Sequence, residues 1–478
     1  MSRLLYCLVS CLVAAVVAGG TQSRLPTVAW PEAEILIAQY TEDLPTQLQA
    51  LRAAPAEQRA DLWNAWVVAR RQAISARVAQ GDEDSIVNLL LFGTSFTAEP
   101  RITAGRLAEL DRRWRAGDAA AERALRNSYQ RRAEDLVNGI VRTGAGERLR
   151  FARRVLEHQG HTVTTAQGRE AAVAALLSAV IRVREEAARL ARTLEGLRET
   201  PDTAAAISER AQLFRERGLA PDSSVLTQYA VDAALCGLVV EDPASRHSLN
   251  RIAVIGPGLD FIDKQEGLDF YDPQSLQPFT VMDSLLRCDL AGEPKLRTTV
   301  LDINPRVTEH VRAAASGRRS GRKAPFRLVF PRVLADDWTE DATAYWRRAG
   351  TRIGVAAPIA VPPSLKGVAA RAIQVRPALA AHVEAVEANI VYDRIEPAGD
   401  TLFDLIVVTN VLVYYDRFEQ TLAVASLAAM LRPGGLLLTN TRLPDVPEVP
   451  LRPHSQRVVR YFSGMGDGEH MLWYRRVP

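Results

Sequence analysis

Arg251-Ile252-Ala253-Val254-Ile255-Gly256-Pro257-Gly258-Leu259-Asp260 is an apolar run that ends in two glycines one residue apart. It reads as a buried strand entering a tight turn. Glycine accepts φ > 0 and lets the backbone approach a ligand with no Cβ in the way. Outward from this point the texture alternates apolar runs with helical segments, the pattern of a parallel α/β sheet. Strands are expected over 251–255, 299–303, 389–394, 405–409 and 436–440, and helices over 273–290, 305–316 and 417–431. The chain's last part, 456–462 and 471–477 around Gly464-Met465-Gly466-Asp467-Gly468, reads as an antiparallel hairpin.

Upstream, residues 25 to about 240 are rich in Ala, Arg, Leu and Glu and read as helices punctuated by Pro and Gly. Pro31 opens one helix and Pro45 interrupts it; others are expected over 57–80, 104–117, 119–143, 146–158, 208–218 and 223–238. Val173, Leu176, Val180, Val183, Ala187, Leu190, Leu194 and Leu197 form a heptad seam. It suits a helix packed within the chain, with a dimerising coiled coil over 173–197 as the alternative. A boundary near Glu199-Thr200-Pro201-Asp202 gives a helical domain at 25–204 and an α/β domain at 205–478.

Composition narrows the partners. A net charge of +3 over 478 residues gives no nucleic-acid footprint. Arg318-Arg319-Ser320-Gly321-Arg322-Lys323 reads as a solvated loop. Arg3 followed by an apolar stretch from Leu4 to Ala18 and then Gly19-Gly20-Thr21 reads as a signal peptide over 1–20. It is short for a membrane span, which takes about 20 apolar residues. The mature protein is therefore expected to be exported (periplasmic or secreted) with no stable span; a mis-set start would leave it cytoplasmic. Cys7 and Cys11 leave with that segment. Cys236 and Cys288 remain, and are expected as two buried thiols, with a single bridge as the alternative in an oxidising compartment.

The glycine turn, five expected parallel strands and a closing hairpin resemble the class I S-adenosylmethionine (SAM) methyltransferase fold, a Rossmann-like sheet here preceded by an all-α region. Locally the resemblance is to chemotaxis-receptor (CheR-type) methyltransferases. Their fourth strand runs into an Asn-Val-Leu-Ile-Tyr-Phe-like motif, matched by Asn410-Val411-Leu412-Val413-Tyr414-Tyr415. Leu431-Arg432-Pro433-Gly434-Gly435 is similar to that family's turn before the fifth strand. The resemblance covers about residues 205–478 and implies SAM as cofactor. Gly256 and Gly258 would line its methionine part. Asp302, closing Val300-Leu301-Asp302-Ile303, would accept both ribose hydroxyls, or else cap the helix starting at Pro305. Asp393 or Arg394 would flank the adenine, and Asn410 would line the methyl-transfer site.

Two departures carry expectations of their own. Asp260 follows Leu259 where the family keeps a third glycine, and the interval from Gly258 to Asp302 is 44 residues against about 20 in a dinucleotide fold. The extra stretch from Phe261 to Pro273 interleaves charged and aromatic residues. It is expected to form a lid or acceptor pocket, with Asp260, Lys264 and Tyr271 foremost. A second insertion over 326–388, with Trp338, Tyr345 and Trp346, is expected to add acceptor surface. Methyl transfer from a sulfonium is an in-line displacement driven by alignment, so the absence of a Gly-x-Ser-x-Gly, His-Glu-x-x-His or Walker motif is no objection. The expected activity is SAM-dependent methylation of a protein carboxylate or a small molecule. The alternative is an inactive methyltransferase-like fold serving as an envelope binding module. A nicotinamide dehydrogenase is disfavoured, because Phe261 stands where its fingerprint needs glycine.

Overall fold

The strands are β1 (Arg251–Ile255), β2 (Arg297–Asp302), β3 (Arg318–Arg319), β4 (Arg322–Lys323), β5 (Arg327–Val333), β6 (Gly354–Ala357), β7 (Val368–Val375), β8 (Val383–Glu387), β9 (Phe403–Val408), β10 (Leu431–Thr439), β11 (Leu451–Val459) and β12 (Glu469–Arg476). The computed structural model describes residues 27–39, 44–100, 102, 104–142, 146–196, 218–219, 225–261, 268–319, 322–323, 325–396, 402–464 and 468–478. The expected signal segment, Lys264 and all but the last residue of the expected helix at 208–218 lie outside the described residues.

Seven strands make the main sheet in the order β11-β12-β10-β9-β1-β2-β8. β1 pairs parallel with β2 and with β9, β8 extends the parallel set beyond β2, and β10 extends it beyond β9. β12 returns antiparallel against β10, with β11 antiparallel beside it, so the expected hairpin closes the sheet. Five parallel strands finished by an inserted antiparallel strand define the class I methyltransferase-like α/β fold expected from the sequence.

Alternation along the strands explains why both faces are covered. Ile252, Val254, Val300, Leu405 and Val407 enter one core, and Ala253, Ile255, Leu301, Ile406 and Val408 enter the other. All ten are essentially solvent-free, and each large aliphatic among them contributes about 1.5–3 kcal/mol of burial. Helices α1 (Trp30–Gln39), α2 (Thr46–Ala53), α3 (Ala56–Phe92), α4 (Ala104–Arg115), α5 (Ala119–Ile140), α6 (Glu147–His158) and α7 (Ala166–Gly196) precede the sheet. Within or around it lie α8 (Val225–Glu241), α9 (Gln277–Arg287), α10 (Pro305–Ala315), α11 (Glu340–Arg348), α12 (Pro377–Ala380) and α13 (Arg417–Met430). Leu36, Leu48, Trp63, Trp66 and Ile74 share the second core with the strands and α13, so α1–α3 are built onto the sheet itself. The seam residues Leu176 and Val180 are buried in a further core with residues of α3, α5 and α6, and Val173 and Val183 pack against it, so the first half of the heptad pattern is used within the chain.

Several expectations need correction. The third strand of the parallel set is β8, not 389–394: Asn389 Oδ1 accepts from Val391 N at 3.0 Å and turns the chain there. Ile390, Val391 and Tyr392 are apolar because they pack under α1–α3, not because they form a strand. The insertion is shorter than 326–388, since β8 belongs to the main sheet. Its core is the three-stranded antiparallel sheet β5-β7-β6. Trp338 and Tyr345 are buried against α8 and α9 and offer no acceptor surface. Leu431-Arg432-Pro433-Gly434-Gly435 lies inside β10 as an irregularity between Leu431 and Leu436, with Gly434 at φ 77°. Cys236 and Cys288 are not thiols but a disulfide. Packing of α8 on α9 brings their Cα atoms to 5.3 Å, inside the bridging range. No described helix is long and apolar enough to cross a membrane.

Candidate functional site

Strand order reverses at β1, and in open α/β sheets ligands bind outside the carboxyl ends of strands at that point. The glycine turn leaves β1 there. Gly256 has φ 58° and Gly258 φ 72°, a region that side-chain-bearing residues rarely adopt. A Cβ on Gly256 would stand 2.5 Å from Val411 Cγ2, so only glycine lets the turn close on the end of β9. Gly256 N donates to Leu301 O at 2.8 Å, tying the turn to β2.

Asp302 ends β2 beside this turn and is buried. Asn304 N donates to its Oδ1 at 2.8 Å, and the amides of Gly258 and Ile303 also donate to the carboxylate. Burial pushes its pKa up to about 6, opposed by those amides and by Arg306. The helix-capping alternative falls to its neighbour: Asn304 Oδ1 accepts from Arg306 N at 3.0 Å and caps α10. Asp302 is thus a desolvated acceptor with no side-chain cation bonded to it among the described residues.

Asn410 follows β9 at φ 57°, exposed, and is fixed by its neighbour from the end of β10. Asn410 N donates to Asn440 Oδ1 at 2.9 Å, and Asn440 Nδ2 donates back to Asn410 Oδ1 at 2.8 Å. Asn440 Nδ2 also reaches Glu469 Oε1 at 2.6 Å. Asp260 and Tyr271 come together as well. Tyr271 OH donates to Asp260 Oδ2 at 2.9 Å, and Gln274 Nε2 donates to the same oxygen at 3.0 Å. Gln274 is itself locked to the edge of β5 through Val329 N and O.

Asp393 and Arg394 are not strand-end residues. Asp393 pairs with Arg71 of α3 and accepts from Asn389 N at 3.0 Å, while Arg394 pairs with Glu32 of α1 at 2.6 Å. Both side chains pair with the N-terminal helices, so the expected strand end at 389–394 is corrected to a turn after β8.

That the expected helices tie into the carboxyl edge of the sheet is what sequence reasoning missed. α3 has 37 residues and so runs about 55 Å. Arg70 pairs with Glu419 in the first turn of α13, after β9. Arg71 reaches the turn after β8, and Asp82 pairs with Arg306 at 3.0 Å in the first turn of α10, after β2. Just beyond its end, Thr94 and Ser95 give backbone and hydroxyl donors at 2.6–3.0 Å to Asp269, in the insertion after β1. Burial raises the pKa of Glu419 and of Asp82, with the arginines opposing. From α6, buried Arg148 donates to the carbonyls of Phe261, Asp269 and Tyr271. Arg306 stacks on Phe151 of α6 at 3.9 Å. The spacing Trp63, Trp66, Val67, Arg70, Ile74, Arg77 marks one helix face turning from aromatic to cationic, a signal available in the sequence.

No protein-family model matches the chain, and no curated protein aligns with it. Solved structures similar to it include the N-methyltransferase NodS from Bradyrhizobium japonicum WM9, at 16% identity, TM-score 0.24, over 52% of this chain and 94% of that one. Magnesium protoporphyrin IX methyltransferase ChlM from Synechocystis PCC 6803, with bound SAM, aligns at 12% identity and TM-score 0.25, over 52% and 79%. The apo SAM-dependent methyltransferase SibL aligns at 13% and 0.24, over 68% and 89%. Superpositions of this quality carry no argument of their own; strand order and site geometry carry it.

Proposed function

We propose that the chain is a SAM-dependent methyltransferase. One observation carries the reading: at the switch point of a sheet ordered β11-β12-β10-β9-β1-β2-β8, the Gly256–Gly258 turn meets the buried carboxylate of Asp302. The residues fit the cofactor. A Cβ at Gly256 would fill the turn, and Asp302 is an acceptor suited to two ribose hydroxyls. When bound, SAM supplies a methyl group made electrophilic by its sulfonium. Gly256 and Gly258 would hold its methionine end, Asp302 its ribose, and Asn410 the side facing the acceptor. Asn440 fixes Asn410, so that face is pre-ordered rather than assembled on binding.

Alignment is the main catalytic resource, worth up to about 7–11 kcal/mol in a well-oriented displacement. Tyr271, donating to Asp260, keeps a proton at a defined oxygen above the turn and could take part where the acceptor is a hydroxyl or amine. A carboxylate acceptor would need no such base. The CheR-like run Asn410–Tyr415 is compatible with a carboxylate but names no substrate. The Cys236–Cys288 disulfide supports export, since such bonds persist in oxidising compartments. Export in turn requires a donor supply outside the cytosol, and the inactive binding-module reading draws its weight from that difficulty.

Calorimetric titration of SAM and S-adenosylhomocysteine (SAH) into the full chain, with Asp302→Ala as control, tests the reading. Micromolar binding abolished in the variant is expected. A folded protein that binds neither compound would sink the assignment and leave the binding module.

A further inference from the structure

Helix α7 is apolar on two adjoining faces, where a surface helix needs one. The first is the seam in which Leu176 and Val180 are buried against α3, α5 and α6. One residue further on, Ala174, Leu177, Ile181, Arg184 and Ala188 repeat the same three–four spacing. Arg184, the polar member, lays its guanidinium over the rings of Trp114 and Tyr129 at 5.2 and 5.4 Å. Ala174 is exposed, Ile181 is 59% exposed, and Leu177 and Ala188 are half-buried. Beside the N-terminal half of this stripe a groove of about 410 Å³ opens between α7 and α5. Val137, Val173 and Leu177 give it an apolar lining, and Glu134 and Glu170 are its acidic residues. Arg169, also in the groove, is turned back onto Thr164 O at 3.2 Å.

Glu170 and Arg192 lie on this same face, each eleven residues, or about three turns, from Ile181. Both are exposed, and neither has an ion-pair partner among the described residues. From this arrangement, and independently of the methyltransferase reading, we infer that the stripe is an interface between two copies of the chain. The two α7 helices pack antiparallel about a two-fold axis at Ile181. An isologous interface has to be self-complementary, and the stripe meets that condition. Residues equidistant from Ile181 face each other across the axis. Glu170 meets Arg192 of the other copy, Ala174 meets Ala188, and Ile181 meets its own counterpart. A parallel pair would set Glu170 against Glu170 and Arg192 against Arg192. The groove beside Glu170 then receives the other copy's turn at 188–192, so its two acidic residues face a basic segment. α7 and α5 have 31 and 22 residues, about 46 and 33 Å of helix, each about 10 Å wide. Together they offer a strip of roughly 800 Å², the share each partner gives to an interface of standard size. The dimer expected through 173–197 thus uses the face next to the heptad seam rather than the seam itself.

The test is the mass of the full chain in solution, followed by light scattering across a concentration series. A dimer that dissociates on dilution is expected, and a monomer at every concentration would overturn the inference. Ile181→Glu sets two carboxylates against each other on the axis and should raise the dissociation constant roughly 30-fold or more, the size of a hot-spot loss. The position is exposed in the single chain, and a circular dichroism spectrum like the parent's checks that the variant is folded. A dimer that survives this change would place the interface elsewhere and overturn the inference. Charge exchange reads the register. Glu170→Arg and Arg192→Glu, each alone, put like charges across the axis twice and should weaken the dimer roughly tenfold. Together they restore opposite charges and should bring it back to within about threefold of the parent. Single variants that leave the dimer unchanged, or a double variant no tighter than either, would overturn the antiparallel arrangement and the inference with it.

Discussion

Two buried aspartates show how differently one side chain can be used. On α8, packed against the C-terminal end of α9, Asp232 is compensated on every side. Ser284 Oγ donates at 2.5 Å, Arg287 pairs with it, and Arg348 Nη2 reaches its other oxygen at 3.2 Å. The Cys236–Cys288 disulfide lies beside it, with Arg287 Nη1 at 3.3 Å from Cys236 Sγ. The other end of α9 meets the carboxyl edge of the sheet, where Gln277 Nε2 donates to Thr409 Oγ1 at 2.8 Å after β9. On that same edge, at the end of β2, Asp302 has backbone donors and a raised pKa. The first aspartate is saturated and structural. The second is left with acceptor capacity and an unstable charge, the condition of a site prepared for a ligand.

The sharpest way to break the contrast is Asp232→Ala. It leaves the mostly buried Arg287 and the partly exposed Arg348 without their carboxylate and is expected to cost about 3 kcal/mol, read from urea unfolding. A change under about 1 kcal/mol, within the range of an ordinary surface substitution, would mean that Asp232 is no more structural than Asp302. Next is the disulfide, which closes a sequence separation of 52 residues around β1, the glycine turn and α9. Cys236→Ser with Cys288→Ser should lower stability by about 2–4 kcal/mol while leaving SAH affinity within a few fold. An affinity collapse in a folded variant would show that the structural cluster and the site are coupled through α9.

Asp302→Asn should weaken SAM by roughly 10- to 100-fold through loss of charge-assisted hydrogen bonds. The pH dependence separates binding from folding. The folded pKa of about 6 lies above the ordinary 3.8, so the folded state holds this proton more tightly. Its contribution to stability is full below the ordinary value and is lost as pH rises through about 6. Relative to the Asn variant, the parent should therefore gain up to about 3 kcal/mol of stability on acidification from neutrality to about pH 4. SAM affinity should move the other way, falling up to tenfold per unit below about pH 6, because ribose hydroxyls need the ionised acceptor. Parallel trends in the two measurements would remove Asp302 from the cofactor site.

The sheet and its glycine turn were legible because their signals are local: apolar runs, glycines needing positive φ, an acid closing a strand. β8 was missed for a physical reason. Val383-Glu384-Ala385-Val386-Glu387 alternates as an edge strand should, but the more apolar Ile390-Val391-Tyr392 follows it and owes its composition to the covering helices. The ties of α3 were legible only in part. Its face turning from aromatic to cationic can be read, but Arg70–Glu419 and Arg71–Asp393 join residues 349 and 322 positions apart, so the carboxylates it meets cannot. The disulfide was open to either reading until the packing of α8 on α9 set the Cα separation. Asp260 and Tyr271 stand out by composition; Gln274, which locks them to β5, carries no signal beyond ordinary polarity.

The smallest expected effect probes how rigidly the site side of the comparison is held. Asn410 keeps a left-handed backbone with its reciprocal bonds to Asn440 as support. Asn440→Ala removes them and should cost about 1 kcal/mol, with SAM affinity down a few fold. Asn440→Asp is the more informative change. It retains an acceptor for Asn410 N but loses the donor to Asn410 Oδ1 and sets a carboxylate against Glu469, whose pKa burial already raises. At neutral pH this variant should therefore bind SAM less well than Asn440→Ala. The order should invert as acidification puts a proton between Glu469 and the introduced carboxylate. If the two variants behave alike at every pH, the Asn410–Asn440–Glu469 chain does not position the site, and Asn410 holds its conformation through the backbone of the turn alone.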